Sequence, residues 1–272
     1  MLNYFTCPDK ANTEIDKCLS QCRMDSRCMT IPTLKAISKE RVWSGTPSTT
    51  QLINGTMIEY LKITKPYAVD PQDRAFMLLG ISHHQLMAEN AELAEIALGG
   101  AITSTVDLIE ITKTNGSELE ITDYKTWGSY RVAKALGIIK TGPKIFTVNP
   151  TKIDMRDTEL QLNHYRLQLE SRGFIVTKLW LQMTVRDGST FMAESRGLFK
   201  NIYLIQVPML DDLTIRDYFE SKKAALIYAI NTNTMPSVCS EEECWGGRRC
   251  KEYCEVAEHC PSPRGQMERK SK

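Results

Sequence analysis

The sequence predicts an α/β protein, a mixed sheet flanked by helices, with two small four-cysteine metal modules at the termini. Three observations lead there. The nine cysteines fall into two clusters near the chain ends, with none between Cys28 and Cys239. Between the clusters, segments with helical apolar spacing are interleaved with β-rich runs. The strongest short hairpin signal, Asn115-Gly116, joins two of those β-rich runs.

The first module spans 1–35, and its cysteines read C-x10-C-x3-C-x5-C through Cys7, Cys18, Cys22 and Cys28. The core spans 36–235. Its Pro, Ser and Thr in TPSTTQLI cap a helix running to about residue 62. Asp70 then caps a long helix over DPQDRAFMLLGISHHQLMAENAELAEIAL, with a break near Gly80 and an end at Gly99 and Gly100. AITSTVDLIEITKT and SELEITDYKTW predict antiparallel strands over about 101–113 and 118–126. WGSYRVAKAL predicts a helix ended by Gly137, and a second helix runs over about 154–172 to Gly173. FIVTKLWLQMTVRDG and LFKNIYLIQVPML predict strands, and DDLTIRDYFESKKAALIYAIN a capped helix. The last module, with a basic tail, spans 236–272; Cys239, Cys250, Cys254 and Cys260 repeat the C-x10-C-x3-C-x5-C spacing and leave Cys244 over.

Cysteines four apart share a helix face, which suits metal-ligating thiolates. Four of them match tetrahedral zinc, and they equally match an iron–sulfur cluster. The pairing of ligands stays open, since the two chain ends can meet in space.

Bulk composition narrows the classes. The chain has 272 residues, 42% hydrophobic and 25% charged, with a net charge of +1. That excludes a polybasic nucleic-acid tail as the main feature, so any nucleic-acid binding rests on local basic patches and bound metal. MLNYFTCPDKANTE has no basic stretch followed by an apolar run, and no segment reaches the ~18 apolar residues of a membrane span. A cytoplasmic protein without a membrane partner is the expectation.

The hairpin carries the chemistry. A two-residue turn at Asn115-Gly116 sets residue 108 opposite about 123, so Asp107 and Asp123 are near cross-strand neighbours, one residue short of facing each other squarely. Asp123 and Lys125 are two apart on one strand and share its face. Two carboxylates can hold Mg²⁺ or Mn²⁺, and a lysine beside them can position a water and offset developing negative charge. Taken singly, such residues are an ordinary solvated strand face; the D-x15-D-x-K arrangement across a hairpin is more specific.

These residues resemble the PD-(D/E)XK nucleases, and within them the RecB-like branch that includes the CRISPR-associated RecB-like exonucleases. Four stretches over residues 80–165 carry the resemblance. LGISHHQLMAE matches the helix with a metal-binding histidine, pointing to His84; GAITSTVDLIE matches the strand of the first acid, Asp107. LEITDYKT matches the (D/E)-x-K strand with Asp123 and Lys125, where the Tyr124 carbonyl also touches metal, and QLNHY matches the Q-x3-Y helix with Gln161 and Tyr165. The resemblance implies a restriction-endonuclease-like fold and a metal-dependent deoxyribonuclease, a hydrolase acting as an exonuclease or processing DNA ends in repair or recombination. His84, Asp107, Asp123 and Tyr124 would bind the catalytic Mg²⁺ or Mn²⁺, with Lys125, Gln161 and Tyr165 completing the site. Relatives of this branch often hold a 4Fe–4S cluster on one N-terminal and three C-terminal cysteines. A full foursome at each end, with x3 in place of x2, departs from that pattern and favours two separate sites, zinc first and 4Fe–4S as the alternative.

The expected partner is DNA, single-stranded or as duplex ends, with protein partners in a DNA-processing complex. Trp127 is a candidate for base stacking or for the core. Arg248, Arg249, Lys251, Arg264, Arg269, Lys270 and Lys272 are candidates for phosphate contacts or for a solvated tail. Two other classes fit the cysteines: a catalytically silent DNA-binding or scaffold protein, and an iron–sulfur redox sensor.

Overall fold

Residues 1–24, 26–112 and 117–263 are described in a computed structural model. The chain forms two compact units, one from Met1–Leu79 with Tyr218–Lys272 and one from Gly80–Asp217. The architecture is α/β, with mixed sheets flanked by helices.

The first unit opens on a short hairpin, β1 (Leu2–Thr6) and β2 (Asn12–Glu14), followed by helices α1 (Ile15–Ser20) and α2 (Ile31–Ile37). Next come α3 (Thr49–Ile53) and α4 (Thr56–Thr64), and then β3 (Tyr67–Val69), which pairs in parallel with β1 to give the order β2-β1-β3. The expected single helix to residue 62 is therefore two. Ser48 and Gln51 close a capping box on α3, and Asn54 then turns extended at ψ 161°, which ends α3 before Gly55 starts α4. The three strands were not expected, being too short to show a period.

Helix α5 (Pro71–Ala88) is a second correction. It runs unbroken through Gly80 but stops eleven residues before Gly99, where the Asn90 side chain donates to the Leu86 carbonyl. The following AEIAL is a strand, β4 (Ala94–Leu98), not helix. Its alternating exposure, with Glu95 and Ala97 outward, is what a half-buried edge strand shows.

The second unit is built on the sheet order β10-β9-β6-β5-β4. Strand β5 (Ser104–Ile111) pairs antiparallel with β4 on one side and with β6 (Glu118–Trp127) on the other. The Asn115-Gly116 turn lies outside the described residues. A crossover follows through α6 (Ser129–Ala135), an unexpected hairpin β7 (Ile138–Gly142) and β8 (Ile145–Val148), and α7 (Arg156–Glu170). It returns the chain to β9 (Ile175–Val185), parallel to β6. After a one-turn helix α8 (Phe191–Glu194), β10 (Ile202–Val207) pairs antiparallel with β9 at the sheet edge. The long α9 (Asp212–Thr232) leads back into the first unit, where α10 (Arg248–Glu252) and a 3-10 turn at Ala257–His259 follow.

The core of the second unit lies between this sheet and α7, where Val106, Ile121, Leu162, Leu179, Leu181 and Met183 are fully buried. In β9 the buried Leu179, Leu181, Met183 and Val185 alternate with more open residues, the period of a strand that buries one face. No helix among the described residues is long and apolar enough to cross a membrane.

Gly137 closes α6 in the left-handed region at φ +64°, and a Cβ there would stand 2.5 Å from the Asn149 carbonyl oxygen. Both strain and collision oppose any side chain. Gly137→Ala is expected to destabilise the chain by more than ~1 kcal/mol, seen as a lower urea midpoint at unchanged slope.

Candidate active site

Three neighbouring strands set a row of acids. In the β5–β6 ladder Leu108 faces Thr122, so one further step puts Asp107 directly across from Asp123. This is one residue away from the register that a two-residue turn would impose, and it removes the offset expected from the sequence. On the other side, Ala94 pairs with Leu108 and Ile96 with Val106, so Glu95 stands across from Asp107. Glu95, Asp107 and Asp123 therefore line up across β4, β5 and β6.

Their environments differ. Asp123 is 1% exposed and Asp107 7%, whereas the Glu95 side chain is largely open at 44%. Glu95 also has φ +51°, a left-handed conformation that costs a residue with a side chain about 1–3 kcal/mol. Such strain is concentrated at sites where a side chain must be aimed.

Helix α5 brings His84 over this row. Its Nδ1 lies 3.2 Å from Glu95 Oε1 and 3.6 Å from Asp107 Oδ2, and its Nε2 lies 3.0 Å from the Tyr124 carbonyl oxygen. His83, the neighbouring candidate, instead sets its ring edge against Tyr124, with Nε2 buried and lacking a hydrogen bond. The alternation of β6 points the Tyr124 backbone at the acids while its side chain turns away. Its N–H donates to Asp107 Oδ2 at 2.7 Å.

On the other flank, Lys125 Nζ donates to Asp123 Oδ1 at 2.7 Å and lies 2.7 Å from Oδ2, which has no hydrogen bond of its own. Gln161 Nε2, from α7, donates to Asp123 Oδ1 at 2.9 Å and to the Tyr165 hydroxyl at 2.8 Å. The i, i+4 spacing places both on the helix face against β6.

Electrostatics follow from crowding. Burial, and then the Asp123 charge beside it, push the Asp107 carboxyl up to about 7, against the pull of Lys125, His84 and the Tyr124 N–H. Burial would lower the Lys125 ammonium, but the carboxylates of Asp123 and Asp107 outweigh it and hold it above its ordinary value. Burial and Asp123 raise the Tyr165 hydroxyl, which stays protonated.

Ligand atoms of His84, Glu95 and Asp107 all lie within 4.8 Å of one another, the spacing a single cation can bridge. One imidazole, hard carboxylate oxygens and a backbone carbonyl are a donor set for Mg²⁺ or Mn²⁺. The burial of two facing carboxylates, which pushes the Asp107 carboxyl up, fits a cation as well. All the site residues expected from the sequence, His84, Asp107, Asp123, Tyr124, Lys125, Gln161 and Tyr165, meet here. Glu95 was missed because its segment reads as the end of a helix; the acid in AEIAL, read as a strand, is the signal that finds it.

The other candidates divide. Trp127 packs on the core with the Arg131 guanidinium 4.8 Å from its ring centre. Arg248 pairs with Glu252 at 3.0 Å, and Arg249 donates to Asn54 Oδ1. Arg264, Arg269, Lys270 and Lys272 lie outside the described residues. Cys239, Cys250, Cys254 and Cys260 line one cavity with Cys244, walled by Met57, Ile58 and Leu61. Cys244 is 2% exposed, so the cysteine outside the repeat belongs to the same chamber. Gly55 leaves room there, since a Cβ on it would stand 2.6 Å from the Cys239 sulfur. Burial and the Glu243 charge push the Cys239 thiol up to about 12. None of the nine cysteines is in a disulfide.

No protein-family model matches this chain, and no curated protein matches it. Among solved structures, the one described as "Crystal structure of SSO0001" is similar at 16% identity and a TM-score of 0.42, covering 85% of this chain and 93% of that chain. A likeness of that size carries no argument about fold or function.

Proposed function

We propose that this chain is a metal-dependent deoxyribonuclease of the PD-(D/E)XK superfamily, RecB-like branch, that hydrolyses phosphodiester bonds at DNA ends. The observation that supports this best is the cross-strand row Glu95–Asp107–Asp123, flanked by His84 on one side and Lys125 on the other. His84, Asp107, Asp123, Glu95 and the Tyr124 carbonyl are the residues that would hold Mg²⁺ or Mn²⁺. When bound, that ion supplies charge neutralisation at the scissile phosphate and activation of water near neutral pH.

The chain's own groups do the rest. Asp123 fixes the Lys125 ammonium at 2.7 Å, so its remaining protons are free to orient an attacking water and to offset charge on the phosphoryl oxygens. Gln161 keeps Asp123 from turning away from the row, and Tyr165 holds Gln161 in turn. A cation held beside Asp107 would favour the charged form of its raised carboxyl.

Incubating the protein with end-labelled single- and double-stranded DNA, with and without Mn²⁺, tests the reading. Cleavage is expected only with the ion, and Asp123→Ala and Lys125→Ala should each lower its rate at least ~100-fold. Variants as active as the parent would sink this active site. Glu95→Gln is expected to keep the fold and to raise the Mn²⁺ needed for half-maximal cleavage roughly 10–100-fold, by titration. An unchanged requirement would remove Glu95 from the site.

We further propose that the C-terminal cysteine cavity holds a thiolate-bound metal, zinc or a 4Fe–4S cluster, with DNA as the partner of the whole chain. Anaerobic purification separates the two metals: a colourless protein with bound zinc indicates the first, a brown one with iron and sulfide the second. Protein free of both, with full structure, would count against either.

A further inference from the structure

The net charge of +1 conceals an uneven distribution. Residues 128–156, in the crossover between β6 and β9, carry Arg131, Lys134, Lys140, Lys144, Lys152 and Arg156 against a single acid, Asp154. The rest of the chain is therefore net negative. Both ends of this basic segment adjoin the candidate site. It starts three residues after Lys125 on β6 and ends five residues before Gln161 on α7. Both of those side chains donate to Asp123.

Within the segment, β7 and β8 pair with each other and stand apart from the five-stranded sheet. A lone two-stranded hairpin is marginal in water, so its stability must come from what fastens it. At its base the Asn149 N–H donates to the Gly137 carbonyl at 2.8 Å, and the Asp154 N–H donates to the Lys134 carbonyl at 3.0 Å. Gly197, after α8, lets the hairpin approach closely. A Cβ there would stand 2.7 Å from the Phe146 ring and 3.0 Å from Ile138. Asp187 accepts from the Ser129 N–H and hydroxyl at 2.6 and 2.5 Å, which pins the start of α6 to the loop after β9.

The fastened hairpin and α6 show cations and aromatic rings to solvent. Lys134, Lys140 and Lys144 are exposed, the last two on either side of the hairpin turn. Tyr130 is 52% exposed, with the Lys134 ammonium 5.9 Å and the Arg196 guanidinium 5.8 Å from its ring centre. Phe199 is 71% exposed and meets Phe146 of β8 edge-on, with 6.1 Å between ring centres. Surfaces that hold single strands combine these two elements, cations along the phosphates and rings against unstacked bases. A duplex hides its base faces and an acidic peptide has no bases to stack, so the exposed rings favour a single strand.

We propose that the β7–β8 hairpin and α6 bind the single-stranded end of the nucleic acid, with Lys140 and Lys144 on its phosphates and Tyr130 and Phe199 against its bases. Delivery of that strand to the acids for cleavage rests on the nuclease reading; the binding itself does not.

Fluorescence anisotropy of the full chain tests this surface, with a labelled oligothymidylate of roughly 20 nucleotides, longer than a typical site. EDTA is present, so no metal-dependent cleavage interferes. Lys140→Ala/Lys144→Ala is expected to weaken binding about 10-fold at low salt and to flatten the plot of log affinity against log salt by about 1.4, the share of two phosphate contacts on a single strand. Phe199→Ala should weaken the single strand roughly 5–100-fold, one stacked base, and leave a blunt duplex unchanged. Lys35→Ala/Lys39→Ala, both exposed in the first unit, should alter neither affinity nor slope. These side chains are exposed, and unchanged circular dichroism spectra check that the variants fold. No binding by the parent chain, an equal loss in the two lysine pairs, or an unchanged salt slope in Lys140→Ala/Lys144→Ala overturns the proposal. Polyglutamate binding as tightly as the oligonucleotide would also overturn it and assign the surface to an acidic protein. The expected binding pattern without Mn²⁺-dependent cleavage keeps this surface and sinks the active site. Cleavage by a parent chain whose hairpin variants bind unchanged does the reverse.

Discussion

Two carboxyl groups buried side by side set the terms for the second unit. Asp107 and Asp123 face each other across β5 and β6, each almost shielded from water, and like charges at that distance cannot both be comfortable in a protein interior. Everything near them reads as compensation. Lys125 leans on Asp123, a backbone N–H points at Asp107, and His84 approaches from the helix above. The parallel pair β6 and β9, packed under α7, supplies a frame stiff enough to keep the groups from separating.

Much of this arrangement is legible in the amino-acid order because it rests on local geometry. Asp123 and Lys125 share a face through strand alternation, and Gln161 and Tyr165 through the helical repeat, so spacing alone places them. The approach of Asp107 to Asp123 needs only a hairpin, and its last residue of offset depends on how the loop is built, which composition does not reveal. Glu95 was hidden for a different reason. AELAEIAL has enough alanine and leucine to continue a helix, and only the open edge of β5, a tertiary feature, turns it into a strand. The strands β1, β2 and β3 and the hairpin β7–β8 are too short for periodicity, and the break between α3 and α4 turns on one extended residue, Asn54.

The cysteines illustrate how identical spacing can lead to unlike surroundings. Both sets read C-x10-C-x3-C-x5-C, yet in one Cys7 begins a hairpin turn, Cys18 is buried on a six-residue helix and Cys28 is exposed, while the other lines a chamber with methionine and leucine walls. What separates them is the neighbours that sequence spacing does not encode: Arg23 and Arg27 at one, Met57, Ile58 and a side-chain-free Gly55 at the other. Cys244 was counted as surplus by spacing and is a wall of the chamber by position.

The first unit is assembled from both chain ends, with residues 80–217 intervening. During synthesis the N-terminal strands and α1–α4 therefore emerge long before Tyr218 and everything after it. The intervening unit is contiguous and has all its strands available first, so it can mature on the ribosome while Gly55, Met57 and Leu61 still wait for the wall that Cys239 to Cys260 supply. Translation thus imposes a schedule, in which the half-built chamber stays uncovered until residues 239–260 have emerged.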